Sequence, residues 1–234
     1  MGHRLRLGVF GGAFDPPHAA HLALARAALE QLALDELRVI PTGDAWHKSR
    51  TLSPAADRLK MCELAFADLP KVHVDDRELL RSGPSYTIDT LEALRAEHPD
   101  GELFLLMGGD QWRSFSSWHR WQDILPLASL AVVERPQIAD SSAPSEIPAD
   151  SEMQAPAAVP VSASWPPSAK VFRLHLPAMP ISATAIRQRL VPSSQSTAAQ
   201  TIDAVTDPEL AKALPEPVAR YISLHGLYQA RPSF

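Results

Sequence analysis

Apolar and polar positions alternate with two different periods along this chain. Leu5 to Phe10 is a short apolar run that ends in Gly11-Gly12 and predicts a buried strand. Ala19 to Leu32 follows as an Ala/Leu-rich helix, with Leu22, Leu29 and Leu32 on related faces. Leu37 to Ile40 predicts a second strand. Ser53-Pro54 predicts the start of another helix, with Ser53 as its cap, Pro54 in its first position, and an apolar stripe of Leu59, Cys62, Phe66 and Leu69. Val72 to Val74 reads as a third short strand, and Ser85 as the cap of a helix whose Ile88, Leu91 and Leu94 face inward. Leu103 to Met107 and Leu130 to Val133 are continuous apolar runs, the pattern of central parallel strands covered on both faces. Strands alternating with helices predict an α/β chain with a doubly wound parallel sheet, followed by a C-terminal helical part. In such sheets ligands bind beyond the carboxyl ends of the strands, where the strand order reverses.

The pattern breaks once. Between Gln137 and Ala169 lie 33 residues, of which 8 are Ala, 7 Ser and 6 Pro, with no Gly, Lys or Arg. That segment cannot bury enough apolar surface to offset its ordering entropy, so it is expected to be disordered or loosely held. It links two domains or it interrupts one. Only about 65 residues follow it, beginning with the strand-like run Val171 to Leu176. A lone strand and two helices make a poor independent domain, which favours a single domain over 1–234 with an insertion at 137–169.

Composition narrows the class. The 234 residues are 45% hydrophobic, enough for a sizeable core. The net charge of −5 falls mostly on the insertion, through Asp140, Glu146, Asp150 and Glu152, and leaves the remainder near neutral. A broad basic surface for nucleic acid is therefore not expected, although a local anion site is compatible with this balance. One cysteine, Cys62, excludes a disulfide framework and suits a reducing compartment. No apolar run approaches the ~18 residues of a membrane span, and the N-terminus moves straight into a strand rather than a signal sequence. These features point to the cytoplasm. Nothing in them sets an oligomeric state.

The chemistry concentrates after the first strand, in Gly11-Gly12-Ala13-Phe14-Asp15-Pro16-Pro17-His18-Ala19-Ala20-His21. Paired glycines let backbone N–H groups approach a ligand, and the loop feeds a helix whose N-terminus favours anions. His18 and His21 stand three apart in the first turn and can project to one side. Neither the dinucleotide fingerprint nor the P-loop pattern is present. Taken alone, such a pair is more often two surface histidines, and no further ligand set supports zinc. Its position after the first strand of an α/β sheet raises the anion reading. A second anion site is suggested by Ile181-Ser182-Ala183-Thr184-Ala185-Ile186-Arg187, where Ser182 or Thr184 caps a helix that carries Arg187 in its first turns. A surface salt bridge for Arg187 is the plainer alternative; the presence of the first anion site favours a polyphosphate. His47 and Lys48 fall on a loop after the second strand, and Asp110 follows a strand through two glycines, placed to hold a ribose hydroxyl or to cap a helix. The tryptophans at 112, 118 and 121 read first as core.

The glycine loop resembles the G-x-F-D-P-x-H-x-G-H signature of the nucleotidyltransferase superfamily. Further blocks follow in the order of the bacterial nicotinate-nucleotide adenylyltransferase family. They are Pro41 to Lys48, Ser85-Tyr86-Thr87, Gly108-Gly109-Asp110, Trp118-His119, Ile181 to Arg187, and Leu214 to Val218 leading to Gly226-Leu227-Tyr228. Two positions depart from the pattern: Ala13 stands where the family has Thr, and Ala20 where it has Gly. Neither removes a titrating group, so altered affinity rather than inactivity is expected.

The resemblance implies a Rossmann-like nucleotidyltransferase fold and transfer of AMP from ATP to nicotinate mononucleotide. It implies catalytic roles for His18, His21, Lys48 and Arg187, and ATP contacts from Gly11, Gly12, His18, His21, Asp110, Ile181, Ser182, Thr184 and Arg187. Phe14, Asp15, His47, Lys48, Tyr86, Thr87, Trp118 and His119 would meet the mononucleotide. Trp118 matches the residue on which the pyridine ring stacks, and Asp15 would shape the loop rather than react. Mg²⁺ would ride on the polyphosphate, and the pyridine's carboxylate would meet only hydrogen-bond donors. The alternatives are another phosphorylated acceptor, such as the amidated mononucleotide or a phosphopantetheine-like group, and a catalytically inactive nucleotide-binding module.

Overall fold

The computed structural model describes residues 2–43, 52–133, 169–191 and 204–228. Strand β1 (Arg6–Gly12) lies at the centre of a sheet of six strands. To one side come β2 (Glu36–Pro41) and β3 (Val72–Val74); to the other β4 (Glu102–Gly108), β5 (Ala128–Val133) and β6 (Val171–Leu174). The order is β3-β2-β1-β4-β5-β6, and every pairing is parallel. The chain winds outward from β1 in one direction and then, from β4, in the other. The crevice at the carboxyl ends of β1 and β4 is thus the point of reversal.

Side chains of the central strands alternate between two cores. Leu7, Val9, Leu103, Leu105, Met107, Leu130 and Val132 pack on one face, under helix α3 (Thr87–Glu97), the short helices α4 (Gly109–Arg113) and α5 (Trp121–Ile124), and a 3-10 turn at Phe115–Ser117. Phe10, Phe104, Leu106 and Ala131 point to the other face. That face is covered by α1 (Ala19–Gln31), α2 (Ala55–Phe66), α6 (Ala183–Leu190), α7 (Pro208–Ala213) and α8 (Glu216–His225). Apolar on both faces, these strands needed no polar alternation. The segment after the composition break returns to this same sheet, with Leu130 opposite Val171. Positions 137–168 of the expected insertion lie outside the described residues.

The buried face of α1 is Leu24, Ala25 and Ala28; Leu32 just beyond it is buried too, and Leu22 and Leu29 pack against the same core. Two local expectations are corrected. Helix α2 begins at Ala55 with Pro54 as its cap, and its buried stripe is Arg58, Met61, Cys62, Ala65 and Phe66. Ser53 is engaged elsewhere: its N–H donates to Asp15 and its carbonyl accepts from Arg58. Tyr86, not Ser85, precedes the first turn of α3, whose Ile88, Leu91 and Leu94 are buried as expected.

Beyond edge strand β3 the Asp75 N–H donates to the Val39 carbonyl, and Asp75 accepts from the backbone and guanidinium of Arg77. Burial alone would raise this carboxyl, but its bonds from Arg77 outweigh that and hold it below the usual range. Glu97 and Asp207 are also lowered, chiefly by Arg77 and Arg189 respectively. A carboxyl lowered in the folded state contributes stability above its unfolded pKa, about 4, and loses it as pH falls through the folded value. The melting temperature should therefore drop below about pH 4. Asp75→Asn should cost about 1–2 kcal/mol at pH 7 and flatten that acid decline. Parallel acid and neutral melting curves for wild type and variant would refute this role.

Candidate active site

The loop after β1 is held from four sides. A Cβ on Gly11 would meet no atom within 4 Å, so this residue keeps the crevice floor open, whereas one on Gly12 would come within 3.1 Å of the Phe14 ring. Phe14 takes a left-handed backbone, φ 45°. Such a conformation costs on the order of 1 kcal/mol, and its ring offsets that by packing edge-on to Phe10 (5.2 Å), His21 (5.0 Å) and Phe66 (6.2 Å). From α2 the buried Arg58 donates to the carbonyls of Ala13 (3.2 Å), Thr42 (2.7 Å) and Ser53 (3.0 Å). Asp15, 1% exposed, accepts from the Ser53 N–H (3.2 Å) and from the Tyr228 hydroxyl (2.6 Å), and its carbonyl accepts from Arg187 (2.7 Å). The Asp15–Pro16 bond is cis.

This scaffold fixes the two histidines. His18 is the N-cap of α1, with extended backbone, and its N–H donates to Nδ1 of His21 at 3.1 Å. Because Nδ1 accepts, a neutral His21 carries its proton on Nε2 and is a donor at that atom. The two rings stack with centroids 3.8 Å apart and 23° between planes.

Both rings line a cavity of about 990 Å³ in the crevice between β1 and β4. The starts of α1, α3 and α6 open on it, so three sets of helix N–H groups give it a positive bias. Of the residues expected from the sequence, Gly11, Gly12, Phe14, Asp15, His18, His21, Tyr86, Thr87, Asp110, Trp118, His119, Thr184 and Arg187 line this one cavity. Ser182 rather than Thr184 caps α6, accepting from the Ala185 N–H at 3.2 Å; Ile181 and Ser182 are not part of the lining. The Thr184 hydroxyl instead accepts from Arg187 at 3.1 Å. Asp110 is exposed, sits inside the first turn of α4 after its cap Gly108, and pairs with Arg113. Trp112 is core, while Trp118 lies half-buried at the cavity, edge-on to Phe115 at 5.6 Å. Tyr86 and His119 pack ring to ring at 4.2 Å. His47 and Lys48 lie outside the described residues.

Sequence reasoning missed Arg58, Glu78, and the role of Tyr228. Arg58 had a signal, a cation on the stripe of Cys62 and Phe66. Glu78 had none, because it lies in an irregular segment and is recognised only by what folds over it. It lines the cavity and adds an acceptor beside the expected donors. Burial pushes its carboxyl above the usual range, against hydrogen bonds from Thr90 (2.8 Å) and Thr42. Among the described residues no three His, Cys, Asp or Glu side chains converge to hold a metal ion.

A parallel sheet with a histidine-bearing glycine loop at its reversal point defines an α/β nucleotide-binding protein of the nucleotidyltransferase type. The chain belongs to the cytidylyltransferase-like family, whose model matches residues 9–189. Within it, the chain is 47% identical over 224 residues to a protein of Albidiferax ferrireducens named "Probable nicotinate-nucleotide adenylyltransferase", covering 96% of this chain and 98% of that one. It is 41% identical to a protein of the same name from Laribacter hongkongensis, covering 97% and 96%. The fold is similar to that of Plasmodium falciparum nicotinic acid mononucleotide adenylyltransferase complexed with APC, with TM-score 0.67 and 17% identity over 97% of this chain and 98% of that one.

Proposed function

We propose that the chain transfers the adenylyl group of ATP to nicotinate mononucleotide, yielding nicotinate adenine dinucleotide and pyrophosphate, a step of NAD biosynthesis. The observation that carries this reading is the cavity at the strand-order reversal, into which the starts of α1, α3 and α6 and the stacked His18–His21 pair open together. The names of the relatives support the choice of substrates. In the reaction a phosphate oxygen of the mononucleotide attacks the α-phosphorus of ATP in line. The bond from that phosphorus to the bridging oxygen breaks, and pyrophosphate leaves with the electron pair. Such chemistry asks for alignment and positive charge, not for a protein nucleophile.

In this reading Nε2–H of His21 donates to the reacting phosphate, with His18 stacked beside it. Arg187, Lys48 and the start of α6 hold the ATP phosphates, and Gly11 and Gly12 give them room. Asp110 meets the ribose. Tyr86, Thr87, Trp118 and His119 receive the pyridine, with Phe14 and Asp15 shaping the loop below and His47 beside Lys48. Magnesium enters as the counter-ion of ATP, part of the substrate. The buried, lone Cys62 is compatible with a reducing cytoplasm. Incubation with ATP, Mg²⁺ and either mononucleotide, with pyrophosphate measured, tests the reading; no release with either acceptor would sink it.

We also take the chain as one domain with 137–169 as an insertion, a reading supported by the pairing of β5 and β6 across it. Replacing the segment by a short Gly/Ser linker should leave turnover and melting temperature nearly unchanged. A loss of turnover would give the segment a part in the reaction.

A further inference from the structure

The loop that presents the histidines is fastened by a side chain from the far end of the chain. Helix α8 docks on α2, with the Tyr221 hydroxyl donating to Asp57 at 2.8 Å. It then ends at Gly226 in the left-handed region (φ 58°), where the N–H groups of Gly226 and Leu227 return to the last turn. Tyr228 is left-handed too, φ 66°, an uncommon conformation for a bulky residue. That turn brings its hydroxyl to Oδ1 of Asp15 at 2.6 Å and to within 4.0 Å of Sδ of Met61. Burial and then the Asp15 charge push the phenol up, so the hydroxyl stays a donor across the neutral range.

Asp15 stands three residues before His18, and its carbonyl is the acceptor for Arg187. One short, charge-assisted bond therefore acts at the junction between the histidine pair and the α6 side of the cavity. We propose that Tyr228 is a positioning residue, acting through Asp15 to set His18 and His21 in register with Arg187. Tyr228 is not part of the cavity lining. Its effect is geometric, and misplacement of reacting groups by a fraction of an ångström is costly in turnover. The kinetic half of the inference rests on the adenylyl-transfer reading; the structural half does not.

Tyr228→Phe keeps the ring and removes the donor. Turnover should fall about tenfold with both KM values within about twofold, since alignment rather than binding is lost. The melting temperature should stay within a few degrees. Asp15→Asn should show a similar fall, and the double variant should be no worse than the more damaged single one, as expected for groups acting as a unit. The imidazole nitrogen signals of His18 and His21, read by NMR without substrate, should shift in Tyr228→Phe. Wild-type kcat in Tyr228→Phe, additive losses in the double variant, or unmoved histidine signals in a folded protein would each overturn the proposal. Should the wild type release no pyrophosphate, the activity reading fails, and the histidine signals still decide whether the fastening exists.

Discussion

His21→Ala is expected to lower kcat by about 10²-fold or more while ATP binding changes far less. The reason lies in the tautomer. The His18 N–H donates to Nδ1 of His21, which leaves Nε2 as the hydrogen-bearing atom. A donor fixed in this way costs no reorganisation when charge moves onto the bridging oxygen, and such donors act mainly in the transition state. The His21 ring also packs on Phe14 and Phe10, so the alanine variant leaves a gap near the core. His21→Gln, which keeps a donor, separates the two effects: partial recovery of kcat marks the hydrogen bond, and a melting temperature restored without kcat marks only packing. An unchanged kcat in His21→Ala would remove this residue from the mechanism.

What the sequence disclosed and what it withheld divide along a physical line. Leu103–Met107 and Leu130–Val133 were legible as central strands because a parallel sheet covered on both faces demands continuous apolar runs. The glycine loop was legible because its place after the first strand of an α/β sheet favoured an anion site over a pair of ordinary surface histidines. Helix starts were less so. Pro54 fits equally at a cap or one residue inside; it takes the cap position, with Ser53 before it and the Ser53 N–H bonded to Asp15 across 38 positions of chain. Arg58, Glu78 and Tyr228 act through partners far away in sequence, and no local period reports such contacts. Tyr228 was visible as part of a block, yet its bond to Asp15 spans 213 positions. The loop that presents the chemistry was thus readable, whereas the supports that hold it were not.

Selectivity for the pyridine substituent is the other large effect. Nicotinate and nicotinamide mononucleotides differ by a carboxylate against a neutral amide, so discrimination must come from groups aimed at that substituent. Thr87 opens α3 at the cavity wall, where the first N–H groups of the helix lack partners within it, and His119 and Trp118 stand at the same cavity. These donors suit a carboxylate. Glu78, held by Thr90 one turn along α3 from Thr87, is the acceptor that would favour an amide, but its carboxyl is already bonded by Thr90 and Thr42. The amide NH₂ would then face donors, a mismatch costing on the order of 2–5 kcal/mol in a buried site. We therefore expect kcat/KM to favour the acid by at least about 10²-fold. Trp118→Ala should weaken both mononucleotides and leave ATP binding intact, because Trp118 lines the cavity only partly buried, while Trp112 and Phe115 are buried in the core it packs against. A variant that unfolds, or that loses both substrates together, would return Trp118 to the core. Equal turnover of acid and amide would remove the nicotinate assignment and leave adenylyl transfer standing.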